Sequence, residues 1–280
     1  MDFEGYPKGV KIMPEIWAGQ LGELRIASDS KGTALSTTAA FIQLPPKTDH
    51  VFITPRNFST AVVARFLFNP WLCILHTDDS MKTEPTDYSL RMQDPADTST
   101  LDLSSMATGT EFILMGSTLP YRGVYVDVTG TNAAGTATMG VSYSNAAKDF
   151  TAYSVTDGTN STMTLAQDGL VYWTVADAWT PIKFNELYPA LNLDRYYSKI
   201  PLYWTKWTPS VALTDTSITV VNLSAANRST SYAELIEGQP LEERVDCGKL
   251  GGFSCLEALT DDGTANLIVN VACRQEGVLS

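Results

Sequence analysis

"ATMGVSY" (Ala137–Tyr143) sets an apolar or small side chain beside a polar or small one at every step. Successive side chains of a strand point to opposite faces of a sheet, so this rhythm predicts a strand dry on one side and wet on the other. The same period recurs on either side of it. "VYVDV" (Val124–Val128) comes before, and Val124, Val126 and Val128 are expected to face a core with Met139 and Val141. "EFILMG" (Glu111–Gly116), "FTAYSV" (Phe150–Val155), "LVYWTV" (Leu170–Val175), "IPLYWTKW" (Ile200–Trp207) and "SITVVNL" (Ser217–Leu223) carry it outward. Between them stand Gly130-Thr-Asn132, Asp157-Gly158, Asp168-Gly169 and Leu213-Thr-Asp215, which is turn chemistry. Short strands with such separators predict an antiparallel β-sandwich, jelly-roll-like, over residues 116–223.

Upstream, strands are expected near Ala40–Leu44 and Val51–Thr54. "AVVARFLF" and "WLCIL" read as two strands broken at Asn69-Pro70, with a helix over Ser59–Phe68 as the rival reading. Near the C-terminal end, "ANLIVNVAC" puts Ala265, Leu267, Val269, Val271 and Cys273 on one face. Residues 224–280 hold too few strands to stand alone. They are expected to pack on residues 39–115 as a second β domain, with 116–223 inserted; tandem independent domains are the alternative. Residues 77–110 are polar and interrupted by Pro85 and Pro95, and read as a surface loop with short helical turns. Residues 1–38, punctuated by Gly and Pro, read as an extended N-terminal arm that lies along a neighbouring subunit. The expected class is therefore all-β: a sandwich, a second β domain and an arm.

Composition narrows the function classes. Apolar residues make up 44% and charged residues 18%, which suits a folded core rather than disorder. A net charge of −12 argues against a sequence-independent grip on nucleic acid. The chain does not open on a basic start followed by an apolar run, so export is not indicated. No apolar stretch approaches the ~20 residues that span a bilayer. Cys73, Cys247, Cys255 and Cys273 contain no Cys-x-x-Cys pair and read as buried free thiols, with a disulfide or a metal site as the alternatives.

Motifs for chemistry are sparse. "LHTDD" (Leu75–Asp79) brings together an imidazole and two carboxylates, the groups of a metal site or an acid–base pair, yet a strand-end turn explains it. "DGTN" (Asp157–Asn160) and "DDGT" (Asp261–Thr264) lack the spacing of a calcium loop and read as Asx turns. No nucleophile elbow, phosphate loop or His-Glu-x-x-His motif is present, so no catalytic residue, cofactor or metal is expected. The aromatics are the better clue. Trp173, Trp179, Tyr196, Tyr197, Tyr203, Trp204 and Trp207 crowd one short region. Tyr203 and Trp204 are neighbours on one strand and cannot enter the same core. The crowd reads as core with rings at its rim, as a protein interface (Trp179, Tyr203 and Trp207, with Trp17 and Leu21 from the arm), or as a sugar-stacking platform on Trp179, Trp204 or Trp207.

At "LPYRGVYVDV" (Leu119–Val128), "DGT…LAQDGLVYWTVADAW" (Asp157–Trp179), "YWTKW" (Tyr203–Trp207) and "NRSTSYAEL" (Asn227–Leu235) the chain resembles virion structural proteins of tailed bacteriophages. The resemblance covers roughly residues 39–273 and is one of strand and turn, not of a catalytic motif. It implies a non-enzymatic β-sandwich protein of the virus particle, assembled in the host cytoplasm: a capsid decoration or minor capsid protein, or a neck or tail component. Its expected partners are copies of itself and other virion proteins, with a host surface glycan as the ligand of the alternative reading. Nucleic acid and membrane are not expected partners. The resemblance transfers no site residue.

Overall fold

The computed structural model describes residues 24–26, 31–104, 106, 109–224 and 232–273, and in it the period-two segments form strands. In chain order these begin with β1 (Leu24–Ile26), β2 (Thr33–Leu35), β3 (Ala40–Gln43), β4 (Thr48–Arg56) and β5 (Ala64–Pro70). A second run holds β6 (Cys73–Thr77), β7 (Thr86–Asp87), β8 (Leu101–Asp102), β9 (Phe112–Ser117) and β10 (Gly123–Gly130). It continues with β11 (Met139–Ser144), β12 (Phe150–Ala152), β13 (Val155–Asp157), β14 (Gly169–Trp173), β15 (Tyr203–Pro209) and β16 (Ser217–Ser224). The chain returns through β17 (Ala233–Leu235), β18 (Leu241–Arg244), β19 (Phe253–Thr260) and β20 (Ala265–Cys273). Helix among the described residues is limited to single turns: α1 (Phe184–Leu187), α2 (Tyr196–Lys199) and a 3-10 turn at Arg91–Gln93. The fold is all-β.

Four antiparallel sheets stack as two sandwiches. In the first, a sheet ordered β1-β20-β4-β18, with β2 also on β20, faces one ordered β17-β5-β19-β3. Val51, Ile53, Leu267, Val269 and Val271 from one sheet meet Ile42, Phe66, Leu256 and Ala258 from the other. Every ladder here joins a strand from the beginning of the chain to one from its end: β4 with β18 and β20, β5 with β17 and β19, β3 with β19. In the second sandwich a sheet ordered β13-β14-β10-β16-β8 covers one ordered β12-β11-β15-β9-β6-β7. Val124, Val126, Val171, Val221 and Leu223 pack there against Leu114, Met139, Val141 and Trp207. Val128 packs at the edge of this core, beyond a register shift that follows Asp127.

The structure departs from the sequence reading in three places. The second core begins at Leu72, not at residue 116, because β6 and β9 pair with each other and β9 with β15. Residues 72–115 thus belong to the inserted sandwich. Second, the 77–110 segment is no surface loop: Met81, Met92, Leu101, Leu103 and Met106 are buried in that core. Its Asp-rich stretches satisfy their own backbone through Asx turns at Asp87, Asp94, Asp97 and Asp102, so the chain can dip inward with few strands. Gln93, also buried, bridges both backbone groups of Leu72. Third, the described part of the arm is not free. β1 and β2 both pair with β20 of the same chain, and Leu35 enters the first core. The interface residues Trp17 and Leu21 lie outside the described residues.

Candidate functional site

The aromatic crowd resolves by strand alternation. Tyr203, Thr205 and Trp207 of β15 face the interior of the second sandwich, and Trp204 faces the other side of the sheet. Inside, Trp179 meets Tyr121, Tyr153, Trp173 and Tyr203 at ring-centroid distances of 4.9, 5.8, 6.5 and 5.6 Å, and Trp207 lies 6.0 Å from Trp173. Outside, Trp204 is covered by the segment that carries α1. Its indole N–H donates to the Ile182 carbonyl at 2.8 Å, and Phe184 packs 5.9 Å away. Three more indole N–H groups of the crowd are satisfied: Trp173 on Tyr121 O, Trp179 on Trp204 O and Trp207 on Thr205 Oγ1.

Trp179 and Trp207, expected at an interface, are therefore core residues, and Tyr203 is half-buried against Trp179. Trp71, Trp173, Trp179, Trp204 and Trp207 are all buried, so none of the indoles among the described residues offers the open face that sugar stacking needs. The physical reason is that both faces of the β15 sheet are covered, one by the opposing sheet and one by the α1 segment. A hydroxyl relay holds this interior together: Tyr121 donates to Met115 O at 2.9 Å and shares a 2.7 Å bond with Thr205 Oγ1. Tyr121→Phe is expected to cost about 1–3 kcal/mol in a denaturant titration, since it strips a buried acceptor of its donor.

The other candidates resolve as structure. The Asp79 carboxylate accepts the Lys82 and Thr83 backbone N–H groups and the Thr83 and Thr77 hydroxyls. These bonds, the Thr83 hydroxyl foremost, hold its carboxyl below the ordinary range. His76 pairs with Glu111 at 3.0 Å. Asp157 closes an Asx turn on Thr159, and Asp261 caps the Val62 and Val63 amides. All four cysteines are free and buried; burial pushes the Cys73 and Cys247 thiols well up and that of Cys255 to about 12. Among the described residues, no three His, Cys, Asp or Glu side chains form a metal-holding group.

A cleft of about 520 Å³ remains where the two sandwiches meet. Trp71 forms part of it at the crossing from β5 to β6, where its backbone N–H donates to Gly252 O at 2.8 Å. Gly248 to Leu250 of the first sandwich form one wall. Asp87, Ser89 and Leu90 beside β7, together with Tyr196 and Ile200 around α2, form the other. Leu90, Tyr196 and Ile200 are 54, 46 and 37% exposed, three of the few large apolar side chains that face solvent. The Tyr196 hydroxyl donates to Asp87 Oδ2 at 2.8 Å and lies 3.0 Å from Ser89 Oγ, which fixes the ring as a wall. Burial raises the Tyr196 phenol, and Cys73 and Asp87 raise it further. Ser89 donates to the Asp87 carboxylate and accepts the Ile74 amide, so this group holds a turn.

The sequence reading named Tyr196 in the aromatic crowd but missed Leu90 and Ile200. No known protein family matches the chain, and neither a curated protein nor a solved structure matches it.

Proposed function

We propose that this chain is a structural subunit of a tailed-bacteriophage virion, a decoration or minor capsid protein that works by association rather than catalysis. One observation carries the reading: Leu90, Tyr196 and Ile200 cluster in solvent at the cleft between two otherwise well-sealed sandwiches. Exposed apolar groups gathered on a rigid wall mark a contact surface, and covering each is worth ~1 kcal/mol. The resemblance to virion proteins, the double sandwich and the charge of −12, suited to the outside of a particle filled with DNA, support it. The partner is a second copy of the chain.

The purified protein is expected to run as a closed oligomer in native mass spectrometry. A trimer favours decoration of the capsid; a ring of six or twelve favours the neck or tail. Ile200→Glu and Leu90→Glu are each expected to weaken self-association by about tenfold or more, because a carboxylate would be buried without a partner. Both positions are on the surface, so thermal melting of the monomer should hardly change. A chain that stays monomeric at millimolar concentration overturns the proposal.

A further inference from the structure

A second recess, about 380 Å³, opens between the sandwiches and has a different chemistry. Val124 and Val126 point into the core, so Tyr125 and Asp127 project from the opposite face of β10. Asn222 of β16 stands directly across from Tyr125 in the ladder and lines the same recess. From the first sandwich, Phe41 of β3 stacks on the Tyr125 ring at 4.9 Å and 22°. The recess thus has an aromatic wall, a carboxylate and an amide at fixed positions on strands.

Among the described residues two of these groups lack a complement, Asn222 a donor and Asp127 a cation. Asn222 is 2% exposed, yet its Oδ1 has no hydrogen-bond partner among the described residues. A buried carbonyl oxygen without a donor is costly and rare in folded proteins. Asp127 is half-buried, and neither it nor its neighbour Asp168 has an ion-pair partner among the described residues. Burial raises the Asp127 carboxyl, and the Asp168 carboxylate raises it further. Among the described residues the recess thus holds two amides, a phenol and a carboxylate but no cation, and the Tyr125 hydroxyl is already engaged by Asp127. A guanidinium supplies what is missing: a planar cation with five donors that stacks on aromatic rings and pairs with carboxylates. An ammonium fits less well, because it is compact and strongly hydrated and would leave the ring face unused.

We infer that this recess binds the guanidinium of an arginine side chain presented by a protein partner. The protein-borne form is favoured over free arginine on charge: the α-carboxylate of the free amino acid would be brought towards Asp127 and Asp168, whereas a peptide-linked arginine carries none. The inference stands apart from the apolar cleft and from the virion reading, and holds or fails independently of both.

Isothermal titration of the full chain with Nα-acetyl-arginine amide tests it, with the citrulline counterpart and free L-arginine as comparison ligands. Saturable binding of the blocked arginine is expected, with both comparison ligands weaker by about tenfold or more. Asp127→Asn is expected to weaken the blocked arginine by a similar factor while the protein stays folded, since the change removes an unfavourable charge. Tyr125→Leu, which removes the ring together with the hydroxyl that bonds Asp127, should weaken it several-fold. Equal binding of the citrulline analogue, unaltered binding by Asp127→Asn, or no saturable heat at the solubility limit of the probe overturns the inference. Free arginine binding as tightly as the blocked form overturns the assignment to a protein partner.

Discussion

Trp204→Ala is expected to destabilise the inserted sandwich by about 3–5 kcal/mol. The indole is fully buried on the outer face of the β15 sheet, and the position directly opposite on β9 is Gly116. The fit is close: a Cβ placed on Gly116 would come within 2.7 Å of the Trp204 ring. Removing the indole therefore opens a cavity between sheet and α1 and leaves the Ile182 carbonyl without its donor. The complementary change, Gly116→Ala, drives a methyl into a ring that cannot bend, at a cost of about 1–3 kcal/mol. Since the alanine methyl partly fills the space that Trp204 vacates, the double variant should be less destabilised than the sum of the two. A double-mutant cycle by denaturant titration reads that coupling, and simple additivity would show that ring and glycine do not support each other.

Glu257→Ala is expected to cost about 3 kcal/mol and to loosen one sandwich from the other. Glu257 lies on β19 with Leu256 and Ala258 on either side of it, and these two face the first core. Its own side chain points the other way, towards the inserted sandwich, and is fully buried. There the carboxylate accepts Asn69 Nδ2 at 3.0 Å, Ser224 Oγ at 3.0 Å and the Tyr232 hydroxyl at 2.6 Å. Ser224 ends β16, so this is a polar joint between the two bodies, supported by the Cys255 thiol on Leu223 O at 3.8 Å. Truncation removes one acceptor from three donors at once. Calorimetry is the measurement: one unfolding transition in the parent, two in Glu257→Ala, with Glu257→Gln recovering much of the loss by keeping shape and one acceptor oxygen. A single unsplit transition in Glu257→Ala would mean that apolar contacts alone join the sandwiches.

How much of this was legible in the sequence depends on which force placed each residue. Where burial on one face decides, the period of two located the strand: Ala265–Cys273 was read to the residue, and Met139 and Val141 face the core as their alternation requires. The choice of two strands over a helix near residues 61–75 also follows from burial, since Ala64, Phe66 and Ile74 are covered by facing sheets. The boundary at Leu72 was not legible, because it is set by which distant strand β6 and β9 join. Trp179 and Trp207 were misplaced for a related reason. A ring on a sheet covered on both sides looks, in sequence, the same as a ring on a sheet covered on one. The second recess was invisible altogether, since Phe41, Tyr125 and Asn222 meet only once two separately encoded sandwiches dock.

The strict pairing of early strands with late ones in the first sandwich has a consequence for biosynthesis. As the polypeptide leaves the ribosome, β2 to β5 emerge without a single native partner, and none exists until β17 to β20 are translated. The inserted sandwich is complete by β16 and can fold while the leading segment waits with its hydrogen-bonding edges open. Nascent chains arrested before residue 233 should therefore be half folded and half adhesive, a ready substrate for chaperones that shield unpaired strands.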